Sequence, residues 1–156
     1  MIKRTLSAES HTGRLESSWI DLEDKAEVEV TSEDPAHPIE AALLGGQSGG
    51  WQAAEAGKQT LRLVFPEPLP LKRVRLVFEE HRHARTQQFV LRVAEGGSGA
   101  WSEIVRQQFN FSPSGSTREE ESYALAGVPI AALEVMINPD MAGGSARASI
   151  EELRVS

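Results

Sequence analysis

Residues 72–78 read KRVRLVF, and this stretch decides the fold. Val74, Leu76 and Phe78 occupy alternate positions, and Arg73 and Arg75 stand between them. A period of two places the apolar side chains on one face of a β-strand and the charged side chains on the other. The stretch therefore predicts a strand with one face toward a core and one face toward water.

The same alternation returns along most of the chain, between clusters of glycine, proline and serine. The apolar positions are Ala26/Val28/Val30, Leu61/Leu63/Phe65, Phe89/Leu91/Val93 and Leu133/Val135/Ile137. Short alternating strands separated by turn residues are typical of an antiparallel sandwich. We therefore predict an all-β protein, an antiparallel β-sandwich whose loops at one end carry the function.

One short helix interrupts this pattern. Residues 37–45 read HPIEAALLG, with proline at the first helical position, glutamate in the first turn and glycine after the end. We predict about two helical turns there.

Two segments near the end of the chain carry further signals. Ala148 and Ile150 share one phase, whereas Leu153 and Val155 have the other, which predicts a β-bulge at residues 151–152. Residues 118–121 read REEE and are interpreted as a solvated charge cluster.

Length and composition limit the class of protein. The chain has 156 residues, which suits one domain: a lead-in over residues 1–25 packed on a sandwich over residues 26–156. It has no cysteine and no apolar leader, so a reducing, cytoplasmic setting is expected. The net charge of -7 argues against nucleic acid or an anionic membrane as the main partner.

A serine motif raises the question of catalysis. Residues 46–50 read GQSGG and match the G-x-S-x-G nucleophile pattern. A nucleophile elbow needs a strand before the serine and a helix after it, whereas here a helix precedes and Trp51 follows. We interpret the segment as a flexible turn and expect no enzyme activity.

His81 and His83 raise the question of a metal. On a strand, side chains two residues apart project to one face, so both imidazoles could bind an ion, as in the first cupin motif that this stretch resembles. The acidic ligand expected a few residues later would fall near Gln87 or Gln88. The favoured interpretation is a charged loop tip without a metal.

Aromatic residues form a third signal. Trp51, Trp101, Phe109 and Phe111 lie in or beside loops, where rings can stack on the apolar face of a sugar. The alternative is that they pack in the core or at its rim. Residues 106–113 (RQQFNFSP) could either line a groove or join loops through their amides, and the sequence does not choose between the two.

Several stretches, taken in order, resemble the discoidin, or coagulation factor 5/8 type C, family of galactose-binding-like domains. They are a helix leading into LLGG and Trp51, QTLRLVF at 59–65, LKRVRL at 71–76, a hairpin with Trp101, and closing strands at 131–137 and 148–155. The resemblance implies jelly-roll topology and a non-catalytic binding module for a carbohydrate or similar polyol. A protein-interaction or self-association domain without a small ligand is the alternative. Leu44 replaces an aspartate often associated with the family's calcium, so no cofactor is expected and a structural calcium ion is disfavoured.

The resemblance also implies a ligand site in the loops. The positions that match are His81, Arg82, His83 and Arg85 after a strand, Glu33, Asp34 and His37 before the helix, and Trp51 at the turn. Arg82 or Arg85 would donate to vicinal hydroxyls, and Glu33 or Asp34 would accept from others. Trp51 would offer a flat face. The alternative is that Arg85 pairs with Glu79 or Glu80 and that Trp51 fills the end of the sandwich.

Overall fold

The alternating stretches form strands in the computed structural model, which describes residues 19–46 and 48–156. The elements of this part are β1 Glu27–Val30, α1 Glu40–Leu43, β2 Trp51–Ala56, β3 Gln59–Pro70, β4 Arg73–Glu79, β5 Arg85–Glu95, β6 Trp101–Phe111, β7 Arg118–Ala124, β8 Pro129–Asn138, β9 Arg147–Ile150 and β10 Glu152–Val155. The helix is shorter than predicted, since residues 38–39 form a turn ahead of a single helical turn.

The strands pair antiparallel in three sheets. Five strands follow the order β1-β3-β8-β5-β6, three follow β10-β4-β7, and β2 pairs with β9. The predicted antiparallel β-sandwich is therefore confirmed.

The core lies between the sheets and uses the apolar phase of each strand. Leu61, Leu63, Leu91 and Val135 from the five-stranded sheet are buried with Leu76 of the opposing sheet. The rings of Phe78 and Phe89 join the two sheets, with 5.1 Å between their centroids. Burying one leucine, valine or phenylalanine side chain stabilises the fold by about 1.5–3 kcal/mol. The many buried side chains of this core therefore hold the sheets together without a disulfide.

The first strand departs from its predicted burial. Val28 is 38% exposed, although its alternation with Glu27 and Glu29 predicts a core position. Strand β1 has four residues and, in the described part of the chain, pairs with β3 alone. Within that part its side chains have a neighbouring strand on one side, so alternation there does not guarantee burial.

The phase change at Glu151 marks a change of sheet instead of a bulge within one strand. Strand β9 ends at Ile150 and pairs with β2, whereas β10 begins at Glu152 and pairs with β4. The amide of Glu151 donates to the carbonyl of Val77 across 2.8 Å and anchors the crossing point. Gly50 has a φ of +59°, and a Cβ there would lie 2.3 Å from the carbonyl oxygen of Ile150, so only glycine fits beside this crossing.

Strand β7 corrects the interpretation of residues 118–121 as a solvated cluster. Glu119 is 1% exposed, because the odd-numbered residues of β7 face inward. Its Oε1 accepts from Gln87 Nε2 across 3.3 Å, and in the described part of the chain its buried Oε2 has no hydrogen-bond partner. Burial, reinforced by the neighbouring Glu121, raises the pKa of Glu119 to about 8.

The start of the described chain packs on the sandwich, and Leu22 is buried in the core. The amide of Ile20 donates to the carbonyl of Val155 across 2.8 Å, and the guanidinium of Arg73 lies 4.6 Å from the centre of the Trp19 ring. The predicted lead-in otherwise falls largely on residues 1–18, outside the described residues. In residues 19–46 and 48–156, no helix has the length and apolar character needed to cross a membrane.

Candidate functional site

Four loops meet around a cleft of about 770 Å³. They precede α1, precede β2, join β4 to β5 and join β8 to β9. Trp51, Arg85 and Ile150 are the buried side chains of its lining and lie at its base. The sequence placed the function at a loop end, and this cleft is the concave surface that the loops produce there.

Six of the eight residues that the sequence analysis proposed for a ligand site line this cleft: His37, Trp51, His81, Arg82, His83 and Arg85. Glu33 and Asp34 lie outside the lining. Oε2 of Glu33 accepts from the amide of Ile39, 2.7 Å away, and so binds a free amide at the start of α1. Oδ1 of Asp34 accepts from the amide of Ala36 across 2.9 Å and closes a turn.

We expect Glu33→Ala to lower the free energy of unfolding by about 1 kcal/mol, because it removes the acceptor of a helix-terminal amide. Urea denaturation would measure the change. Glu55→Ala, at an exposed position of β2, makes the same charge change and is expected to stay within about 0.5 kcal/mol of wild type. Equal effects of both substitutions would contradict a capping role for Glu33.

Arg85 lies at the base of the cleft, and its Nε and NH1 both donate to groups of the protein. Its side chain is 3% exposed, and its Nε donates to Glu80 Oε1 across 2.7 Å. Its NH1 donates to the carbonyl of Pro139 across 2.6 Å and to Gln87 Oε1 across 3.3 Å. The guanidinium also lies 4.8 Å from the centre of the Phe111 ring. Arg85 therefore joins the loop after β4 to the loop after β8, as the alternative of pairing with Glu80 anticipated.

Trp51 likewise serves the interior. The residue is 1% exposed, and its indole Nε1 donates to the carbonyl of Ser32 across 3.1 Å. The ring face that the sequence analysis assigns to a sugar lies inside the core. Trp51 fixes the position of the loop before α1 relative to β2.

His81, Arg82 and His83 lie on the exposed loop between β4 and β5. Oε2 of Glu80 accepts from the amides of Arg82 and His83, at 2.9 and 3.2 Å, and this closes the loop. Burial opposes the ionisation of Glu80, but the hydrogen bonds from Arg85 and these amides outweigh it and keep the pKa of Glu80 below its ordinary value. Nε2 of His81 lies 3.2 Å from Glu79 Oε1.

The loop position of the two histidines removes the basis of the metal hypothesis, which needed both on one strand face. In residues 19–46 and 48–156 there is no group of three or more histidine, aspartate or glutamate side chains placed to hold a metal ion.

The structure adds cleft residues that sequence reasoning missed. Asp140 lines the cleft from the loop after β8, Arg147 and Ser149 line it from β9, and Glu151 lines it from between β9 and β10. The NH1 of Arg147 lies 3.9 Å from Asp34 Oδ2. Arg147 is the first residue of β9, and no signal near it in the sequence marks it as a site residue.

The other predicted aromatic residues lie elsewhere. Trp101 starts β6 and is 37% exposed, with the guanidinium groups of Arg62 and Arg92 at 5.7 and 5.0 Å from its ring. The rings of Phe109 and Phe111 lie 4.9 Å apart, and Phe111 contacts Arg85. Residues 106–111 thus belong to strand β6. Phe111 contributes to the cleft through its contact with Arg85.

Comparison with known proteins adds information at the level of the fold. No protein-family model matches the sequence, and no curated protein matches it. The CBM32 of AlyQ in complex with 4,5-unsaturated mannuronic acid is 18% identical, with a TM-score of 0.60 over 85% of this chain and 95% of that chain. The family 32 CBM from C. perfringens NanJ in complex with galactose is 15% identical, with a TM-score of 0.61 over 88% of this chain and 96% of that chain.

A third match comes from a different setting. A chain in the structure of reduced XRCC1 bound to the DNA pol beta catalytic domain is 15% identical, with a TM-score of 0.59 over 85% of this chain and 96% of that chain. At such identities the likeness concerns the fold. The chain has the galactose-binding-like, discoidin-type β-sandwich that its sequence predicted.

Proposed function

We propose that this protein is a non-catalytic carbohydrate-binding module that holds its ligand in the cleft between the loops. The observation that carries the proposal is the cleft itself, which lies at the loop end of a galactose-binding-like sandwich and is lined by polar side chains. The solved complexes of similar fold with galactose and with an unsaturated mannuronic acid support it.

The lining suits polyol chemistry. A sugar hydroxyl both donates and accepts, so its site needs donors and acceptors at fixed positions. Arg82, His37 and His83 supply groups that can donate, whereas Glu151 and Asp140 supply acceptors. Among the described residues of the lining, Trp51 is the one tryptophan, tyrosine or phenylalanine, and it is buried, so hydrogen bonds instead of ring stacking would hold the ligand. Such a site is expected to bind a monosaccharide with a dissociation constant of about 1 mM, or about -4 kcal/mol.

A panel of mono- and disaccharides titrated into ¹⁵N-labelled protein tests the proposal. We expect saturable amide shifts in residues 49–52, 80–85 and 140–149. Ser149→Tyr places a ring in the cleft from β9 and is expected to abolish them. Ser122→Tyr, the same change at an exposed position of β7, should leave them intact. Absence of shifts across the panel, or equal shifts in both variants, would refute a sugar site in this cleft.

Protein interaction is the second candidate, and it has its own structural support. Trp101, Ile104 and Met136 are each more than a third exposed on strands β6 and β8 of the five-stranded sheet. One structure of similar fold is that of XRCC1 bound to another protein. Line broadening of β6 and β8 amides that increases with protein concentration, without sugar-dependent shifts, would favour self-association over sugar binding.

A further inference from the structure

We infer that the saccharide is acidic and that Arg82 and Arg147 bind its carboxylate. The inference rests on the proposed function and names the chemical class of the ligand in that same cleft. Some polar groups around the cleft already have partners within the protein, and others are free.

The carboxylates of the cleft are largely engaged. Oε2 of Glu79 forms an ion pair with Arg118, and its Oε1 lies 3.2 Å from His81. Both oxygens of Glu80 accept hydrogen bonds, one from Arg85 and one from two loop amides. Oδ1 of Asp140 accepts from the amide of Ala142 across 3.0 Å. Among the described residues that line the cleft, Glu151 is the one carboxylate whose side chain has no such contact.

The basic side chains of the cleft show the opposite balance. The guanidinium of Arg82 is exposed and makes no hydrogen bond or ion pair with the described residues. Arg147 has 46% of its side chain exposed, and its single ionic contact is the 3.9 Å approach to Asp34, which is beyond hydrogen-bonding distance. The imidazoles of His37 and His83 also have no hydrogen bond to the described residues. Arg85 is less available to a ligand than these groups, because its side chain is 3% exposed and its Nε and NH1 already donate within the protein.

The free basic groups of the cleft all offer N–H donors, and two of them carry a fixed positive charge. A neutral sugar can accept from these N–H groups through its hydroxyl oxygens, but it leaves both charges without a counter-charge. A carboxylate accepts through two oxygens, and its geometry matches the planar fork of a guanidinium. Glu151 would accept from a hydroxyl on another part of the same sugar ring. The arrangement fits a sugar acid better than a neutral sugar.

The affinity gain is expected to be moderate, because both arginines are exposed and water screens their charge. We expect D-galacturonate to bind about ten-fold more tightly than D-galactose, a difference of about 1.4 kcal/mol. The methyl ester of galacturonate keeps the shape and removes the charge, so it should bind like galactose. The preference should also shrink as salt rises from about 0.02 to 0.15 M, because the Debye length falls.

Amide titrations of the whole chain with these three sugars, sodium acetate and galactose 6-sulfate provide the test. Arg82→Gln and Arg147→Gln keep a side-chain donor for hydroxyls and remove the charge, so each should cut the ratio of galacturonate to galactose affinity about three-fold. Arg106→Gln removes an exposed arginine of β6 that pairs with Glu103, and it should leave the ratio unchanged.

Each of the other results would overturn the inference in a recognisable way. Equal affinity for galactose and galacturonate would refute the acidic ligand and leave the carbohydrate site intact. Tighter binding of the sulfate ester would refute the carboxylate. Acetate that shifts the same amides at the same concentration would show an anion site without sugar recognition, and silence with every sugar would refute the proposed function as well.

Discussion

Arg85→Met is expected to lower the free energy of unfolding by about 3 kcal/mol, because it leaves the Glu80 carboxylate without its cation in a largely dry setting. The substitution also removes the donor to the carbonyl of Pro139, which lies 54 residues away in the chain. Two walls of the cleft would then lose the side chain that joins them. Sugar affinity should fall too, although Arg85 is not expected to touch the ligand.

Urea denaturation and amide shift maps would measure both effects. For stability, Arg82→Met is the matched control, since it removes an exposed arginine three residues away and should cost less than about 0.5 kcal/mol. The double variant Arg85→Met/Glu80→Gln should be more stable than Arg85→Met alone, because no uncompensated carboxylate remains. A cost below about 1 kcal/mol, with unchanged amides at residues 139–146, would contradict the role of Arg85 as the link between the loops.

Glu119→Gln is expected to stabilise the protein at pH 9 and to leave its stability nearly unchanged at pH 5. In the folded protein Glu119 keeps its proton up to about pH 8, because burial disfavours the charged form and Glu121 lies beside it. Glutamine stays neutral at every pH. It can keep the contact with Gln87, and it brings N–H groups toward Glu121.

The direction in which stability changes with pH follows from proton binding. The pKa of Glu119 rises from its ordinary value of 4.5 in the unfolded chain to about 8 in the fold, so between these values the folded state holds a proton that the unfolded state has released. The free energy of unfolding therefore falls as pH rises through that window, by about 1.4 kcal/mol per unit at most. The full span gives an upper limit of about 5 kcal/mol, and the gain from Glu119→Gln at pH 9 should approach a few kcal/mol.

Denaturation curves of wild type and Glu119→Gln at unit steps from pH 4 to 9 would measure the difference between the two proteins. Glu120→Gln is the control on the opposite face of β7, where hydrogen bonding and charge from Arg118 lower the pKa of the carboxyl. Its stability contribution is present above the unfolded pKa and is lost as pH falls, so it should not produce a slope between pH 5 and 8. A constant difference between wild type and Glu119→Gln at all pH values would refute the buried proton.

The candidate site was predictable in part. The loop positions of His37, Arg82 and His83 were found in the sequence, because they follow or precede strands that the alternation defines. The inward direction of Arg85 was only one of two alternatives there, since its partners Pro139 and Phe111 come from distant strands. Arg147 was missed because nothing near it in sequence brings it beside His37.

The burial of Glu119 is a second feature that the sequence alone did not predict. REEE looks solvated by composition, yet the inner face of β7 carries Glu119, Glu121 and Tyr123 toward the other sheet. Burial raises the pKa of Tyr123 as well, with Glu121 adding to the effect. The pairing of β7 with β4 decides which side chains of β7 face inward, whatever their charge.

The sequence by itself determined strands β3, β4, β5 and β8, their inner faces and the loop end that forms the cleft, because alternation with a period of two is a local property of the chain. Tertiary structure decided which loop side chains are free and which are engaged. That outcome depends on contacts between residues far apart in sequence: Arg85 with Pro139, Gln87 with Glu119, and Asp34 with Arg147. A hydrogen bond needs its partner within about 3 Å, and only the packing of the sheets brings these partners to that distance or, for Asp34 and Arg147, close to it.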